Sequence, residues 1–434
     1  MASYVRKIDG MLVGIFAIGI IVRLLLFAYN RIENAYDNHR EPITYYVEQH
    51  HRLDPGACWQ CYQPPLYYVV AAGVFQGVVL VSKSTALAWK AVQGINTILS
   101  VVTLALIILM VRQRFPDQEL IVLLIAAVAA VLPRDMYASV IISNDYLLVF
   151  LTTWSVWVYL RHAARPTTRS LVGLCVLTAA CTLTKQHGLI VLLLPGSILL
   201  RRALKLSSFQ GRALFQTAVL LPLLILGVGL SDELWKYQQT HVLLVSNQHF
   251  FPPTHNQPPG SIRLLNLHSF RLQALFRHPS LSDATSASYW TVLFANTWFD
   301  YECLFIKPGF IRALAGIQYA YGMGFLSFFA WGALQALSKR RRWSFDWVTI
   351  TLACVGVCFF LVPLVQTLRF PYYSSMKSQF ILPASCVWLL FSGYALREIK
   401  LLRAPVVTFS LVALTLCIGF GHVVYLVNHM KWGE

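Results

Sequence analysis

The chain has 434 residues, of which 57% are hydrophobic and only 12% are charged. A soluble protein carries about twice that charged fraction, so the composition excludes a soluble globular class. The net charge is +17, but the basic residues form short clusters between apolar segments. Such clusters are typical of the cytoplasmic ends of membrane helices and differ from a continuous nucleic-acid-binding surface. We therefore expect membrane lipids as partners and no nucleic acid.

Apolar segments recur along the whole chain, and they predict an all-α polytopic membrane protein with about 11 transmembrane helices. The predicted spans are residues 11–28, 89–111, 120–132, 146–160, 171–183, 189–200, 213–230, 311–337, 347–365, 380–396 and 405–427. We expect a single membrane domain over residues 1–434. It would consist of an N-terminal module (1–230), a polar insert (231–310) and C-terminal helices (311–434).

The segment 65–81 determines the orientation of every later span. Arg6 and Lys7 place the N-terminus in the cytoplasm. If segment 65–81 does not cross the membrane, the later basic clusters also fall on the cytoplasmic side; if it crosses, they all move outside. We therefore interpret it as an interfacial or re-entrant helix, which places the C-terminus outside. Lys83 and Lys90 argue weakly against this orientation.

The same orientation gathers the polar parts of the chain on the extracytoplasmic side, where they would face one chamber. These parts are residues 36–68, 133–145, 184–188, 231–310 and 367–380. The insert 231–310 keeps many aromatic residues, so we expect a small cap over the chamber and not a disordered loop.

Asp37 follows the first predicted span and is the first candidate for chemistry. By position alone, it would be a solvated loop carboxylate or a helix cap. Asp145 and Lys185, however, are predicted at the same membrane face. A carboxylate close to a low-dielectric boundary tends to have a raised pKa, which suits a general base.

Asp145 and Lys185 each have a structural and a functional interpretation. Asp145 precedes an apolar span and suits a helix N-terminus, a role compatible with a place in the site. Lys185 lies on the side of the membrane where basic residues are scarce. It either snorkels toward lipid headgroups or contacts a phosphate, and the same alternatives apply to Lys377 and Arg369.

Further polar residues fall on the same predicted face and are candidates for lining the site. They are His39, Glu41, Gln63, Tyr67, Asn144 and His187. Asp37, His39 and Glu41 are candidate ligands of a divalent metal, although exposed histidines are usually only solvated. No cofactor is certain from the sequence.

Cys58 and Cys61 form a C-x-x-C motif within residues 36–68, which we call the first outer loop after its predicted side of the membrane. On the extracytoplasmic side this spacing favours a short disulfide over a redox site or a zinc half-site, because no second cysteine pair completes a zinc site.

The order of these motifs resembles that of the C-type (GT-C) glycosyltransferase superfamily, in particular the protein O-mannosyltransferases and the aminoarabinose transferases. The resemblance is carried by Asp37 after the first span, QPPLYY at 63–68, the Asn144–Asp145 pair, TK at 184–185 and KSQFILPA at 377–384. It covers the chain from the N-terminus to about residue 200 and returns near 377–384. The insert 231–310 has no counterpart in it.

The resemblance implies transfer of a sugar from a polyprenyl-phosphate donor to an extracytoplasmic hydroxyl, usually with inversion. The module 1–230 would be catalytic. Asp37 would be the base, Asp145 a second acidic residue of the site, and Lys185 and Lys377 the contacts of the donor phosphate. Many relatives have Asp-Glu where this chain has Asp37-Asn38, which puts a metal-binding role of the second position in doubt.

Two other classes remain open from the sequence. A transporter or flippase of a lipid-linked solute would favour charges at the membrane midplane and paired halves. A non-catalytic membrane protein that assembles or binds a polymer would leave Asp37 without a chemical role. The sugar and the acceptor, whether a lipid, a glycan or a protein, are not specified by the sequence.

Overall fold

The structure is a computed structural model that describes residues 2–33, 38–49, 52–205, 210–251, 267–303, 312–338, 347–370 and 373–429. Asp37 lies outside these residues, as do parts of the insert, 252–266 and 304–310. The described part of the chain is helical without a strand, which confirms the predicted all-α class.

Ten helices are described between residues 2 and 240, a range that covers the predicted N-terminal module and the start of the insert. They are α1 (Ala2–Tyr29), α2 (Arg40–Gln49), α3 (Leu66–Ser82), α4 (Thr85–Arg114), α5 (Glu119–Val131), α6 (Pro133–Ala138), α7 (Asp145–Ala164), α8 (Thr168–Thr184), α9 (Leu193–Lys205) and α10 (Gln210–Thr240). A 3-10 helix, Gln186–Leu192, joins α8 to α9. Helix α10 continues ten residues beyond the predicted span 213–230, so the insert begins as a helix and not as a loop.

The described residues after 240 contain seven more helices. They are α11 (Leu272–Arg277), α12 (Asp283–Ser286), α13 (Tyr289–Trp298), α14 (Arg312–Ser338), α15 (Trp347–Arg369), α16 (Ser385–Glu398) and α17 (Pro405–His429). The predicted span 380–396 starts in two 3-10 turns, Ser378–Phe380 and Leu382–Ala384, before α16 begins. In α13, every residue except Trp290 is buried, so this part of the insert belongs to the core.

Within the described residues, four helical segments are long and apolar enough to cross a bilayer: Asp9–Tyr29, Thr85–Arg114, Trp347–Arg369 and Pro405–His429. Shorter apolar helices accompany them, including Leu66–Ser82. The protein is therefore an integral membrane protein. The number of about 11 spans and the orientation of the N-terminus stay predictions.

Helix α5 forms the centre of the bundle. Residues 121–131 are all buried, and the helix packs against α1, α4, α16 and α17. A helix that is apolar on every side needs neighbours all around it, which these four helices provide. At its C-terminal end, Asp135 in α6 pairs with the buried Arg23 of α1 and accepts a hydrogen bond of 2.7 Å from Tyr146 Oη.

Lys90, which argued weakly against the predicted orientation, has a structural role. Its Nζ donates to the main-chain oxygens of Phe27 and, at 2.9 Å, Asn30 at the end of α1. A cation stabilises the carbonyl end of a helix, so this lysine caps α1.

Candidate active site

Asp145 and Lys185 form a buried ion pair where α7 begins and α8 ends. Asp145 is the first residue of α7, and Lys185 directly follows α8. The Lys185 Nζ donates to Asp145 Oδ1, and each residue is only 5% exposed. Removing two charges from water is unfavourable unless they are paired, so this contact keeps the Lys185 ammonium stable in an apolar environment.

Asn144 connects three separate segments at this pair. Its Nδ2 donates to Thr184 O at 3.0 Å and to Gln63 Oε1 at 3.4 Å. Gln63 donates in turn to Tyr62 Oη at 2.7 Å. The first outer loop, the start of α7 and the end of α8 are therefore held together by side-chain hydrogen bonds.

Two histidines, His39 and His187, lie near the Asp145 carboxylate. His39 is buried at the start of α2, with its Nδ1 2.8 Å from Tyr68 Oη. The ring of His187 packs edge-on against Phe359 and Phe380, and its buried Nε2 has no hydrogen-bond partner among the described residues. An unsatisfied buried nitrogen of this kind is available to a ligand.

The segment 377–384 closes one side of the site. Lys377 is 6% exposed, and its carbonyl oxygen accepts a hydrogen bond from Phe380 N at 3.3 Å. The Phe380 ring lies 5.3 Å from Lys185 Nζ, in a cation–π geometry. The next residue, Ile381, instead lines a separate cavity.

That cavity has a volume of about 340 Å³ and an almost entirely apolar wall. Leu132, Trp298, Phe325, Ile381 and Trp388 are among its lining residues. Its size and lining suit a hydrophobic ligand. One short segment, 378–384, thus presents an aromatic ring to the Lys185 ammonium and an aliphatic side chain to the cavity.

The other predicted site residues are distributed around the first outer loop and the insert. Tyr67 is buried at the start of α3, with its ring edge-on to Tyr68 at 5.6 Å. Glu41 accepts a hydrogen bond from Asn38 at 3.3 Å. Arg369, at the end of α15, is exposed, and its Nη2 lies 3.0 Å from His249 Nε2 in the insert.

The metal proposal concerns residues that the structure describes only in part. No group of three or more His, Cys, Asp or Glu side chains that could hold a metal ion occurs among the described residues. Of the three candidate ligands, His39 and Glu41 are described, whereas Asp37 is not. A divalent metal bound by residues 37, 39 and 41 together stays a prediction from the sequence.

Cys58 and Cys61 are joined by a disulfide in the first outer loop. Both cysteines are buried with Leu53, and the neighbouring Trp59 packs against Phe251 at 5.4 Å. The first part of the insert therefore covers the disulfide loop.

Sequence reasoning missed a charged cluster beside the site. It consists of Arg52, Gln186, Asp232, Glu233 and Lys236. The signal was the spacing of Asp232 and Lys236, four residues apart directly after an apolar span, which places them on one face of a helix. Arg134 was also missed: it is buried and its Nη2 donates to Gln379 Oε1.

Comparison with solved structures identifies ArnT from Cupriavidus metallidurans as a neighbour. Against the crystal structure of ArnT bound to undecaprenyl phosphate, the TM-score is 0.50 at 13% identity, covering 96% of this chain and 71% of that chain. Against ArnT in the apo state, the TM-score is 0.39 at 15% identity, covering 89% and 77%. No protein-family model and no curated protein matches the sequence. The likeness to the undecaprenyl-phosphate-bound structure confirms the predicted GT-C-like fold.

Proposed function

We propose that the protein is a glycosyltransferase that moves a sugar from a polyprenyl-phosphate donor to a hydroxyl on the extracytoplasmic side. The observation that carries this proposal is the juxtaposition of a buried ammonium and an apolar cavity across the segment 378–384. A polyprenyl phosphate has a charged head and a hydrocarbon tail, so it needs two such environments side by side. The neighbour ArnT was crystallised with a ligand of this class.

In this proposal Lys185 binds the donor phosphate. An ammonium has three N–H donors, so Lys185 can keep its contact with Asp145 and still donate to a phosphate oxygen. Lys377, which lies on the segment that carries Phe380, adds a second positive charge. Arg369 is exposed and paired with His249, so we assign it a role at the outer rim.

Part of the hydrocarbon tail of the donor would occupy the apolar cavity. Burial of hydrocarbon in a preformed apolar site is favourable, at about 25 cal/mol per Å² of apolar surface. The segment 378–384 would then separate the charged head from the tail and fix the height of the phosphate.

The transfer itself needs a base, a stabilised leaving group and alignment. Asp37 would take the proton of the acceptor hydroxyl, while the oxygen of that hydroxyl forms a bond to the anomeric carbon of the sugar. The bond between that carbon and the phosphate oxygen breaks, and its electron pair stays on the phosphate as polyprenyl phosphate leaves. Lys185 and Lys377 would stabilise the charge on the leaving group. A single displacement of this kind inverts the anomeric centre.

The remaining residues would hold this arrangement in place. Asp145 fixes the ammonium of Lys185, and Asn144 with Gln63 ties the first outer loop to it. His187 would offer its Nε2, which has no hydrogen-bond partner in the described part of the chain, to the sugar or the phosphate. His39 lies close to Asp145 and follows Asp37 by two residues in the sequence.

The test separates binding from chemistry. Lipids that copurify with the protein are identified by mass spectrometry, and the polyprenyl-phosphate sugar found there serves as the donor in a turnover assay. We expect Asp37→Asn to abolish turnover while binding of undecaprenyl phosphate stays within about twofold of the wild type, since the base contacts the acceptor. Glu33→Gln, an exposed carboxylate of the same loop, is the matched control. Wild-type turnover in Asp37→Asn would remove the proposed base, and the absence of any polyprenyl lipid would contradict the donor class.

A further inference from the structure

Near its C-terminal end, helix α10 has a charged turn, residues 232–236. This turn packs against Gln186, which follows Lys185. Asp232 and Lys236 are buried and contact each other one helical turn apart. Arg52 of the first outer loop donates to Asp232 Oδ1 at 2.7 Å. Lys236 Nζ also lies 3.6 Å from Glu233 Oε1. Two acidic and two basic groups therefore balance each other, and Glu233 Oε2 remains available for another donor.

Gln186 uses that oxygen. Its Nε2 donates to Glu233 Oε2 at 3.3 Å and to Val245 O at 2.7 Å, so the amide connects α10 with the segment that follows it. Gln186 directly follows Lys185, whose backbone is extended, with φ −159° and ψ 143°. In extended backbone, successive side chains point to opposite sides. Lys185 therefore reaches Asp145 on one side, while Gln186 reaches Glu233 on the other.

The turn formed by residues 185–188 fits closely against the end of α8. Lys185 N donates to Cys181 O at 3.1 Å, and Gly188 N donates to Lys185 O at 2.8 Å. A Cβ at Gly188 would lie 2.2 Å from the Cys181 carbonyl oxygen, so this position requires glycine. A close-packed turn of this kind has little freedom, and the side chains that anchor it decide where the Lys185 ammonium lies.

We infer that Glu233 is a positioning residue, which holds Gln186 and thereby fixes the Lys185 ammonium at the place where a ligand phosphate binds. This inference rests on the proposed function. Lys236 and Arg52 supply the opposite charges that allow a carboxylate to lie beside a phosphate site, since an unbalanced anion there would repel the ligand. Glu233 acts through Gln186 and touches neither ligand nor reacting atoms.

The experiment measures the Kd of undecaprenyl phosphate for the full-length protein in detergent. We expect Glu233→Ala to weaken binding about tenfold, the effect of one lost hydrogen bond to a charged group, and Gln186→Ala to weaken it at least as much, because this variant also loses the hydrogen bond to Val245 O. The double variant should bind no more weakly than Gln186→Ala, because the contact that Glu233→Ala removes is already lost there. Glu233→Gln should stay within about twofold of the wild type, since its amide oxygen still accepts from Gln186. Gln238→Ala, at an exposed position of the same helix, is the matched control.

Asp232→Asn distinguishes positioning from general stability of the cluster, because Asp232 contacts Arg52 and Lys236 while Glu233 receives Gln186. If Asp232→Asn weakens binding as much as Glu233→Ala, or if the effects of Glu233→Ala and Gln186→Ala add, the inference is overturned. The Lys185→Gln/Asp145→Asn variant tests the underlying proposal. Full affinity in that variant contradicts the phosphate site itself, whereas reduced affinity there with full affinity in Glu233→Ala contradicts only the role of Glu233.

Discussion

Lys185 and Asp145 lie 40 residues apart in the sequence, and their contact is the arrangement on which the site depends. The distribution of basic clusters along the chain predicts on which side of the membrane each residue lies, and it places both at the same face. The contact itself depends on how tightly α7 and α8 pack, which a hydropathy pattern does not encode. Asp145 is both a helix-terminal residue and a partner of the lysine, so its structural and functional interpretations are compatible.

The pair predicts an asymmetry in stability. Lys185→Gln leaves the Asp145 carboxylate buried without its partner, which destabilises a protein by roughly 3–5 kcal/mol. Lys185→Gln/Asp145→Asn removes both charges and leaves two neutral polar side chains, so we expect a smaller loss than in the single variant. Thermal unfolding of the purified protein measures both. A double variant less stable than Lys185→Gln would contradict the assignment of the pair.

Glu233 predicts a pH dependence of stability. Burial raises the pKa of its carboxyl above the ordinary value of 4.5; Lys236 and Gln186 oppose the rise, and the Asp232 carboxylate adds to it. Between 4.5 and the raised pKa, the folded protein keeps a proton that the unfolded chain has lost. The contribution of Glu233 to stability is therefore favourable at the acid end of this window and declines as the pH rises through it.

Glu233→Gln has no carboxyl group and therefore lacks this pH dependence. The difference between its melting temperature and that of the wild type should become more positive as the pH rises from about 4 to about 7. Glu48→Gln, at an exposed position of α2, is the matched control. Parallel pH profiles for the wild type and Glu233→Gln would contradict the raised pKa of Glu233.

At the scale of elements, hydropathy predicted where helices occur better than it predicted how they begin and end. The sequence predicts a span at 120–132 because this segment is apolar throughout, but helix α5 has only 13 residues, is roughly 20 Å long, and belongs to the shorter apolar helices. The predicted span 380–396 begins in 3-10 turns that carry Phe380 and Ile381 to opposite environments. From the sequence, the charged residues near the end of α10 were assigned to the polar insert. Their burial could not be predicted, because Arg52, the partner of Asp232, lies 180 residues away in the sequence.

The orientation of α3 predicts the accessibility of the turn that follows it. Lys83 is exposed between α3 and α4. If α3 is interfacial or re-entrant, Lys83→Cys should react with a membrane-impermeant maleimide added to intact cells. Lys400→Cys, in a basic cluster predicted to be cytoplasmic, should react only after permeabilisation. Labelling of position 83 only after permeabilisation would reverse the sides assigned to all later segments.

At the scale of the whole molecule, the cavity joins parts of the chain that no motif connects. Its wall combines residues from the end of α5, from α13 in the insert, and from α14, α15 and α16. The sequence showed these segments only as apolar, and apolar residues are equally expected in a solid core and around a cavity. The motif KSQFILPA at 377–384 was assigned to the site, but its position between the ammonium and the cavity required the structure.

Filling this cavity tests whether it holds the donor tail. Leu326 on α14 lines the cavity and is 37% exposed, so Leu326→Trp can extend into the space without disturbing the core. Leu334 on the same helix is 66% exposed and lies away from the cavity lining, which makes Leu334→Trp the matched control. Because a tryptophan would exclude part of the tail, we expect Leu326→Trp to weaken binding of undecaprenyl phosphate about tenfold and of a short-chain analogue much less. Equal losses for the long and the short chain would place the tail elsewhere, since a blocked cavity acts only on the part of the ligand that enters it.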